Sequence, residues 1–381
     1  VTLGLAGATL VDGDARPADV VVEGGRVAAV GPGAAAGADF VHDLTGLLVA
    51  PGFVDLQLNG AHGLDLTTRP DDVWSVAAAL PRYGVTSFLP TTVTAPLPTY
   101  HRALAALAAG PPAGWRGALP LGWHFEGPML NPARKGAHTA RHLRPPSPEI
   151  YGGWSSSQGV AMVTLAPELP GALDAVRHLV ADGVVVSVGH TDATAAEVRA
   201  AVDAGASALT HLFNAMAPLG HRAPGPVGVT LAGGPIVAGL VADGIHVDPD
   251  VVSLAWRCLG PDRLALVTDA VGALGLPPGP QRIGDLEVIL GPAGVRTADG
   301  TLAGSDLAMD RAVRNLVAFS GCSASEALRC ATRTPANVLR RTDVGTLAPG
   351  ARADAVVLTP ELEVVATLVA GEVVWGRLPG R

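Results

Sequence analysis

Residues 184–216 read VVVSVGHTDATAAEVRAAVDAGASALTHLFNAM. An apolar, β-branched run spans Val184–His190, and a second apolar run spans Ala206–Asn214. Between them, TAAEVRAAVDAG has the Ala-rich spacing of a helix opening near Thr194. Strand, helix and strand in this order form a unit with two parallel strands. Each strand carries a histidine at its C-terminal end, His190 and His211. Asp192, two residues past His190, is a candidate cap for the helix between them.

The same alternation extends in both directions. Further apolar strands are read at Gly52–Asn59, Val85–Thr92, Leu119–Glu126, Val160–Pro167, Ile236–Asp243 and Leu264–Asp269. Helix-like segments fill most of the gaps: DDVWSVAAALPRYG, TYHRALAALAAG, GALDAVRHLVADG, PDVVSLAWRCLG and, after a loop and hairpin, AMDRAVRNLVAFSG. Repeated strand–helix units over this length predict an α/β fold, a (β/α)8 TIM-like barrel. A doubly wound open sheet is the rival, weakened by the lack of an early G-x-G-x-x-G after a strand. The two ends differ from the middle: ADVVVEGGRVAAVG, DFVHDLTGLLVAPG, ARADAVVLTP and LEVVATLVAGEVVWG are short β runs with Gly turns. The division expected is a small β-sandwich domain from residues 1–50 and 345–381, around a catalytic barrel of residues 51–344.

Composition bounds the function. The chain has 381 residues, 48% hydrophobic and 16% charged, which excludes a disordered chain. A net charge of −8 argues against a broad nucleic-acid footprint. No run of about 20 apolar residues suggests a membrane span. The first residues lack the basic and apolar regions of a signal peptide. Cys258, Cys322 and Cys330 form no C-x-x-C pair and no disulfide framework, so a reduced, cytoplasmic setting is expected.

In a parallel barrel, chemistry gathers at the carboxyl ends of the strands. The polar residues there are Gln57 and Asn59, Glu126, His190, His211, Asp243 with His246 just beyond, and Asp269. A carboxylate and two neutral imidazoles from three strands suit one divalent ion, Zn²⁺ or a similar ion such as Fe²⁺, with a position left for water. Against this stands the plain alternative of rim histidines bonded to backbone. Asp269 is placed to accept and return a proton, with a loop-anchoring Asp as its alternative. Arg222, His246 and the backbone around Asn214–Ala215 could hold a phosphate. No G-x-x-x-x-G-K-[ST] loop supports a nucleotide triphosphate.

The runs PGFVDLQLNG, HFEGPML, GHTDAT, THLFNAM, DGIHV, LVTDA, GTLAGS and ATRTPANVLR occur in this order. Together they resemble the N-acetylglucosamine-6-phosphate deacetylase family of the amidohydrolase superfamily, over nearly the whole chain. The resemblance implies a metal on Glu126, His190 and His211, and an acid–base at Asp269. It implies substrate contacts at Ala137, His138, Asn214, Ala215, Arg222, Asp243, His246, Leu302, Ala303 and Gly304, with His138 polarising the acetyl carbonyl. It implies a sugar-phosphate substrate, a role in amino-sugar catabolism and cell-wall recycling, and a homodimer in which Arg222 reaches the neighbouring site.

Two departures from the wider superfamily matter. Where many members carry H-x-H for a second metal, this chain has Gln57 and Asn59, so that position is expected vacant. His62 is the nearest replacement ligand, with a loop histidine as its alternative. The chain has one lysine, Lys135, in a loop rather than on a strand, which argues against a carboxylated-lysine bridge. The activity expected is hydrolysis of the acetamide of N-acetyl-D-glucosamine 6-phosphate. A related N-acyl amino sugar such as N-acetylgalactosamine 6-phosphate, or a catalytically silent barrel, are the alternatives.

Overall fold

The computed structural model describes residues 1–283 and 286–379. Eight parallel strands form the barrel: β1 (Phe53–Leu58), β2 (Val85–Thr92), β3 (Trp123–Glu126), β4 (Val160–Leu165), β5 (Val185–Val188), β6 (Ala208–Leu209), β7 (Val237–Leu240) and β8 (Leu264–Leu266). Each pairs with the next. The seam is closed by a bridge between Leu58 and Ala270 and by Asp269 N–H donating to the Gln57 carbonyl at 2.9 Å. The rival open sheet is thereby excluded.

Six helices follow the expected segments, α1 (Val73–Ala79), α2 (Leu97–Ala108), α3 (Ala172–Ala181), α4 (Ala195–Asp203), α6 (Pro249–Arg263) and α7 (Met309–Ser320), and one, α5 (Gly225–Ala232), was not expected. In α4, Val198 and Ala201 face the barrel while Glu197 and Arg199 stay outside the core. Its cap is Thr194, in a reciprocal capping box with Glu197. Asp192 does not cap it; its carboxylate pairs with Arg134 at 2.7 Å. Helix α6 is kinked near its C-terminal end at Gly260, whose φ of 60° breaks the helical path just before Pro261.

Of the eight strands only Val85–Thr92 keeps its expected bounds; the others are shorter than read, and two depart most. Leu119–Glu126 is two pieces, Leu119–Pro120 and Trp123–Glu126. Pro120 has no N–H for the ladder, and Gly122 takes a φ of 124°. Ala206–Asn214 shrinks to Ala208–Leu209, because His211 and Phe213 leave the extended path at φ 29° and 78°. That departure turns His211 toward the barrel axis instead of along the strand. Gly189 lets β5 approach its neighbours: a Cβ there would stand 2.7 Å from Thr164 and 2.9 Å from Thr210.

Both ends of the chain contribute to sheets beside the barrel. One has the order Glu372–Gly376, Val364–Val369, Ala355–Leu358, Leu48–Pro51, Thr9–Leu10, Arg16–Pro17. The other has the order Arg26–Gly31, Asp19–Glu23, Thr2–Ala6, Phe40–Asp43. Leu5, Val20 and Val22 of the second share a buried cluster with Leu10, Val49, Val357 and Leu368 of the first, as in a sandwich. Residues 380 and 381 of the expected C-terminal part lie outside the described residues. A three-stranded sheet (Gly279–Ile283, Leu286–Gly291, Gly294–Thr297) stands between β8 and α7 at the carboxyl end of the barrel.

Within the barrel, Asp55 is a fully buried carboxylate with no cation at close range among the described residues. Asp55 accepts bonds from Gln57 N, Thr268 N and Thr268 Oγ1. Burial outweighs these donors and pushes its pKa up to about 7. Because the folded value lies above the unfolded one, its stabilising share is complete at low pH and is lost as pH rises through about 7. The wild type is therefore expected to lose several degrees more of unfolding temperature than Asp55→Asn between pH 5.5 and pH 8 (a difference of about a few kcal/mol). Equal losses in a thermal melt series would show that Asp55 does not titrate there.

Candidate metal centre and active site

Glu126 is the last residue of β3, and His190 and His211 follow β5 and β6 within two residues. Their side chains converge. Glu126 Oε1 lies 3.1 Å from His190 Nε2 and 3.0 Å from His211 Nε2, and the two Nε2 atoms are 3.0 Å apart. All three residues are buried.

The tautomer of His190 decides what this triangle needs. Its Nδ1 is 2.9 Å from the Arg134 carbonyl, which only accepts, so Nδ1 carries the hydrogen. In the neutral ring, Nε2 then points a lone pair at a carboxylate oxygen and at a second imidazole. Three electron-rich atoms this close are mutually repulsive without a positive centre among them. Tetrahedral ligands at about 2.0–2.2 Å from one ion stand about 3.3–3.6 Å apart, so the triangle is a few tenths of an ångström tighter than that spacing and a small outward shift of its atoms admits a divalent cation. With no ion bound, a proton takes that place: burial works against a charge on His211, but contact with Glu126 outweighs it and raises its pKa. Burial likewise works against charge on Glu126, and the His190 and His211 rings outweigh it and hold the carboxyl well below its usual range.

His138 is the near neighbour that its hydrogen bonds, rather than its distance, set apart from the triangle. It is also grouped with Glu126 and His190, with candidate ligand atoms within 4.8 Å. Its Nδ1, however, accepts the Thr94 backbone N–H at 3.2 Å and lies 2.8 Å from Thr94 Oγ1. The hydrogen must then sit on Nε2, 3.8 Å from Glu126 Oε2. Burial pushes its pKa down to about 3, so the ring is neutral. His138 is a hydrogen-bond donor facing the site. His124, two residues before Glu126, is structural: its ring bonds to the Leu56 carbonyl at 3.0 Å and to Thr164 Oγ1 at 2.7 Å.

Asp269, beyond β8, has its carboxylate turned to the same place, and burial followed by repulsion from Glu126 pushes its pKa up to about 6. Its Oδ1 accepts from Gln57 Nε2 at 3.1 Å and from Asn59 Nδ2 at 2.8 Å. Gln57 Nε2 also donates to Glu126 Oε1 at 3.1 Å. The position expected to be vacant thus holds amide hydrogens set between two carboxylates. His62 is not part of it; its ring bonds to Tyr83 OH at 3.1 Å. His190, His211, Ala215 and Asp269 all have positive φ, between 29° and 50°. Non-glycine residues in that region are strained, and their concentration here marks side chains and amides aimed by the fold at one point.

Glu126, His138, His190, His211, Asn59 and Asp269 line a cavity of about 420 Å³. Of the expected contacts, Ala137, His138, Asn214, Ala215, His246, Leu302, Ala303 and Gly304 line it. Asp243 does not; it acts one step back, accepting from His246 Nδ1 at 2.7 Å and from the His246 backbone N–H at 2.8 Å. Arg222 is exposed on the loop before α5 and does not line its own chain's cavity. Lys135 is exposed and donates to the Gly136 carbonyl. Reasoning from the sequence misses Thr94 and the Arg134 carbonyl. Thr94 follows β2 as the other polar rim residues follow their strands, so the same rule could have found it. A backbone carbonyl leaves no signal in residue identity. Ile283 and Leu286, from the sheet beside the barrel, cover one side of the cavity.

Comparison with known proteins agrees with this geometry. Residues 48–374 match the amidohydrolase family. The chain is 42% identical over 353 residues to the N-acetylglucosamine-6-phosphate deacetylase of Bos taurus, covering 89% of this chain and 86% of that one. It is 40% identical to the N-acetylgalactosamine-6-phosphate deacetylase of Escherichia coli O157:H7, covering 85% and 87%. Among solved structures it is similar to a mutant N-acetyl-D-glucosamine-6-phosphate deacetylase of Mycobacterium smegmatis in complex with N-acetyl-D-glucosamine-6-phosphate. That match has 39% identity and a TM-score of 0.90, and covers 98% of this chain and 99% of that one. A closed barrel, three converging side chains able to hold a metal and these likenesses along nearly the whole chain lead to one assignment: the chain belongs to the amidohydrolase family, with the amino-sugar-phosphate deacetylases.

Proposed function

We propose that this chain hydrolyses the acetamide of N-acetyl-D-glucosamine 6-phosphate, giving D-glucosamine 6-phosphate and acetate in amino-sugar catabolism and cell-wall recycling. The observation that carries this reading is the single cavity shared by Asp269, the His138 Nε2–H donor and the Glu126–His190–His211 triangle. Glu126, His190 and His211 would hold one divalent ion, Zn²⁺ or Fe²⁺, which when bound supplies Lewis-acid polarisation and eases deprotonation of water. His138 donates from Nε2 to the acetyl oxygen as negative charge develops there. Asp269 takes a proton from the attacking water and gives it to the nitrogen as the C–N bond breaks. Leu302, Ala303 and Gly304 form the opposite wall with Ala137, confining the sugar.

Phosphate recognition is assigned to His246, oriented by Asp243, and to the backbone at Asn214–Ala215, with Arg222 of the partner subunit completing the site in a homodimer. Arg222→Ala is expected to raise KM for the phosphorylated sugar at least about tenfold, as loss of one charge-assisted contact should. Its rate on unphosphorylated N-acetylglucosamine should not change. A loss shared equally by both sugars would remove the phosphate role. The 40% identity to a galactosamine-type deacetylase keeps that epimer as a second reading. Steady-state assays on both 6-phosphates decide between them, and no turnover of either would overturn the proposal. Residues 51–344 are assigned the reaction, and residues 1–50 with 345–381 a supporting sandwich. Among the described residues no helix is long and apolar enough to cross a membrane, and the acidic chain does not suit nucleic acid; the cytoplasm is the proposed compartment.

A further inference from the structure

Asp269 Oδ1 meets two primary amides, Gln57 Nε2 at 3.1 Å and Asn59 Nδ2 at 2.8 Å. Gln57, Asn59 and Asp269 are 2%, 2% and 9% exposed, so solvent does not compete for these bonds. Charge fixes which end of each amide faces the carboxylates. Turned over, the Asn59 oxygen would stand against Asp269, and the Gln57 oxygen against both Asp269 and Glu126. Asn59 keeps its orientation even though its Oδ1 is then buried without a hydrogen-bond partner among the described residues. A buried, unsatisfied oxygen is costly, so the bond to Asp269 sets the side chain. Main-chain bonds lock the two strand ends together: Asp269 N–H donates to the Gln57 carbonyl at 2.9 Å, and Asn59 N–H to the Ala270 carbonyl at 2.7 Å.

A carboxylate oxygen has two lone pairs in its plane. At Oδ1 both are taken by amide hydrogens, while Oδ2 has no hydrogen-bond partner among the described residues. Resting on the hydrolytic reading above, we infer that Gln57 and Asn59 are positioning residues that make Asp269 a one-oxygen acid–base. They hold the carboxylate in one orientation and reserve Oδ1, so the travelling proton uses Oδ2 alone. The water O–H bond breaks, its proton goes to Oδ2, and the water oxygen bonds to the acetyl carbon as the C=O π pair moves onto the acetyl oxygen, to return when the C–N bond breaks. The Oδ2–H bond then breaks, its proton goes to the nitrogen, and the C–N electron pair leaves with that nitrogen. The same oxygen takes and returns the proton, so no rotation of Asp269 separates the two transfers.

The test uses Gln57→Met and Asn59→Leu, which keep side-chain size and remove the donors. Each is expected to lower kcat at least about tenfold with KM within about threefold, within the range of acid–base contributions. Bound metal per chain should stay at the wild-type value. A second readout needs no turnover: thermal unfolding of the metal-stripped protein in a double-mutant cycle with Asp269→Ala. Asn59→Leu should lower the unfolding temperature when Asp269 is present and shift it less than half as far when it is absent. Asn59→Ala serves the same cycle if Asn59→Leu does not fold. Unchanged kcat, loss of kcat in step with loss of metal, or additive unfolding shifts would overturn the inference. An inactive wild type would overturn the hydrolytic reading instead, and the unfolding cycle would still report whether the amides hold Asp269.

Discussion

Asp269→Asn is expected to lower turnover by about 10²–10⁴-fold while the protein keeps its metal. An asparagine of nearly the same size keeps a place beside Gln57 and Asn59 but can neither accept a proton from water nor return one to the amine. The proposed ligands, Glu126, His190 and His211, do not depend on Asp269 for a hydrogen bond. Substrate binding rests on other groups of the cavity, so KM should change far less than kcat. The wild-type carboxylate has a pKa pushed up to about 6 by burial and by Glu126, and a bound cation beside it would draw that value down. The acidic limb of kcat against pH should accordingly lie at or below about 6 and should disappear in Asp269→Asn. Steady-state kinetics with metal analysis on the same preparation checks all of this. Near-normal turnover would falsify the proton-transfer role.

Removing the ion should abolish activity. Chelation leaves two imidazoles and a carboxylate whose electron pairs face one another at 3.0–3.1 Å, with only a proton among them. Activity should return on adding one equivalent of Zn²⁺ or of another suitable divalent ion. Glu126→Gln exchanges the anionic ligand for a neutral amide and should weaken the ion by more than the about 10–100-fold typical of outer-shell changes. Affinity should also fall with pH. The His211 pKa is raised because Glu126 outweighs burial, so the proton competes with the cation as pH drops through that raised value. The loss should approach about tenfold per pH unit for the one displaced proton. Chelator competition across a pH series measures this directly. Two tightly held ions per chain would contradict the amide-filled position at Gln57 and Asn59.

The barrel was legible because most of its strands are short runs rich in apolar, β-branched residues, and such runs belong in a core. Val184–His190 and Ala206–Asn214 stand out this way, and the rule that chemistry sits at the carboxyl ends picks out Glu126, His190, His211 and Asp269. Where local chemistry interrupts a run, the reading overshoots. Pro120 and Gly122 divide the third strand, and the turn at His211 ends the sixth after two residues. Helix α5, GPVGVTLA, carries no usable signal because two glycines within eight residues weaken any helical pattern.

Closure of the barrel against the rival open sheet was decided by the seam between Leu58 and Ala270. The order of residues was enough to point to the barrel and to Glu126, His190, His211 and Asp269 as candidates, since these follow from which strands must be buried and which residues end them. It could not tell that Gln57 and Asn59 present hydrogens to Asp269, that His138 is a donor rather than a ligand, or that Asp243 works through His246. Each of those depends on which end of an amide or ring faces which partner. That choice is made by contacts between atoms tens to hundreds of residues apart, such as Thr94 with His138 and Asn59 with Asp269, and such contacts exist only after the chain has closed.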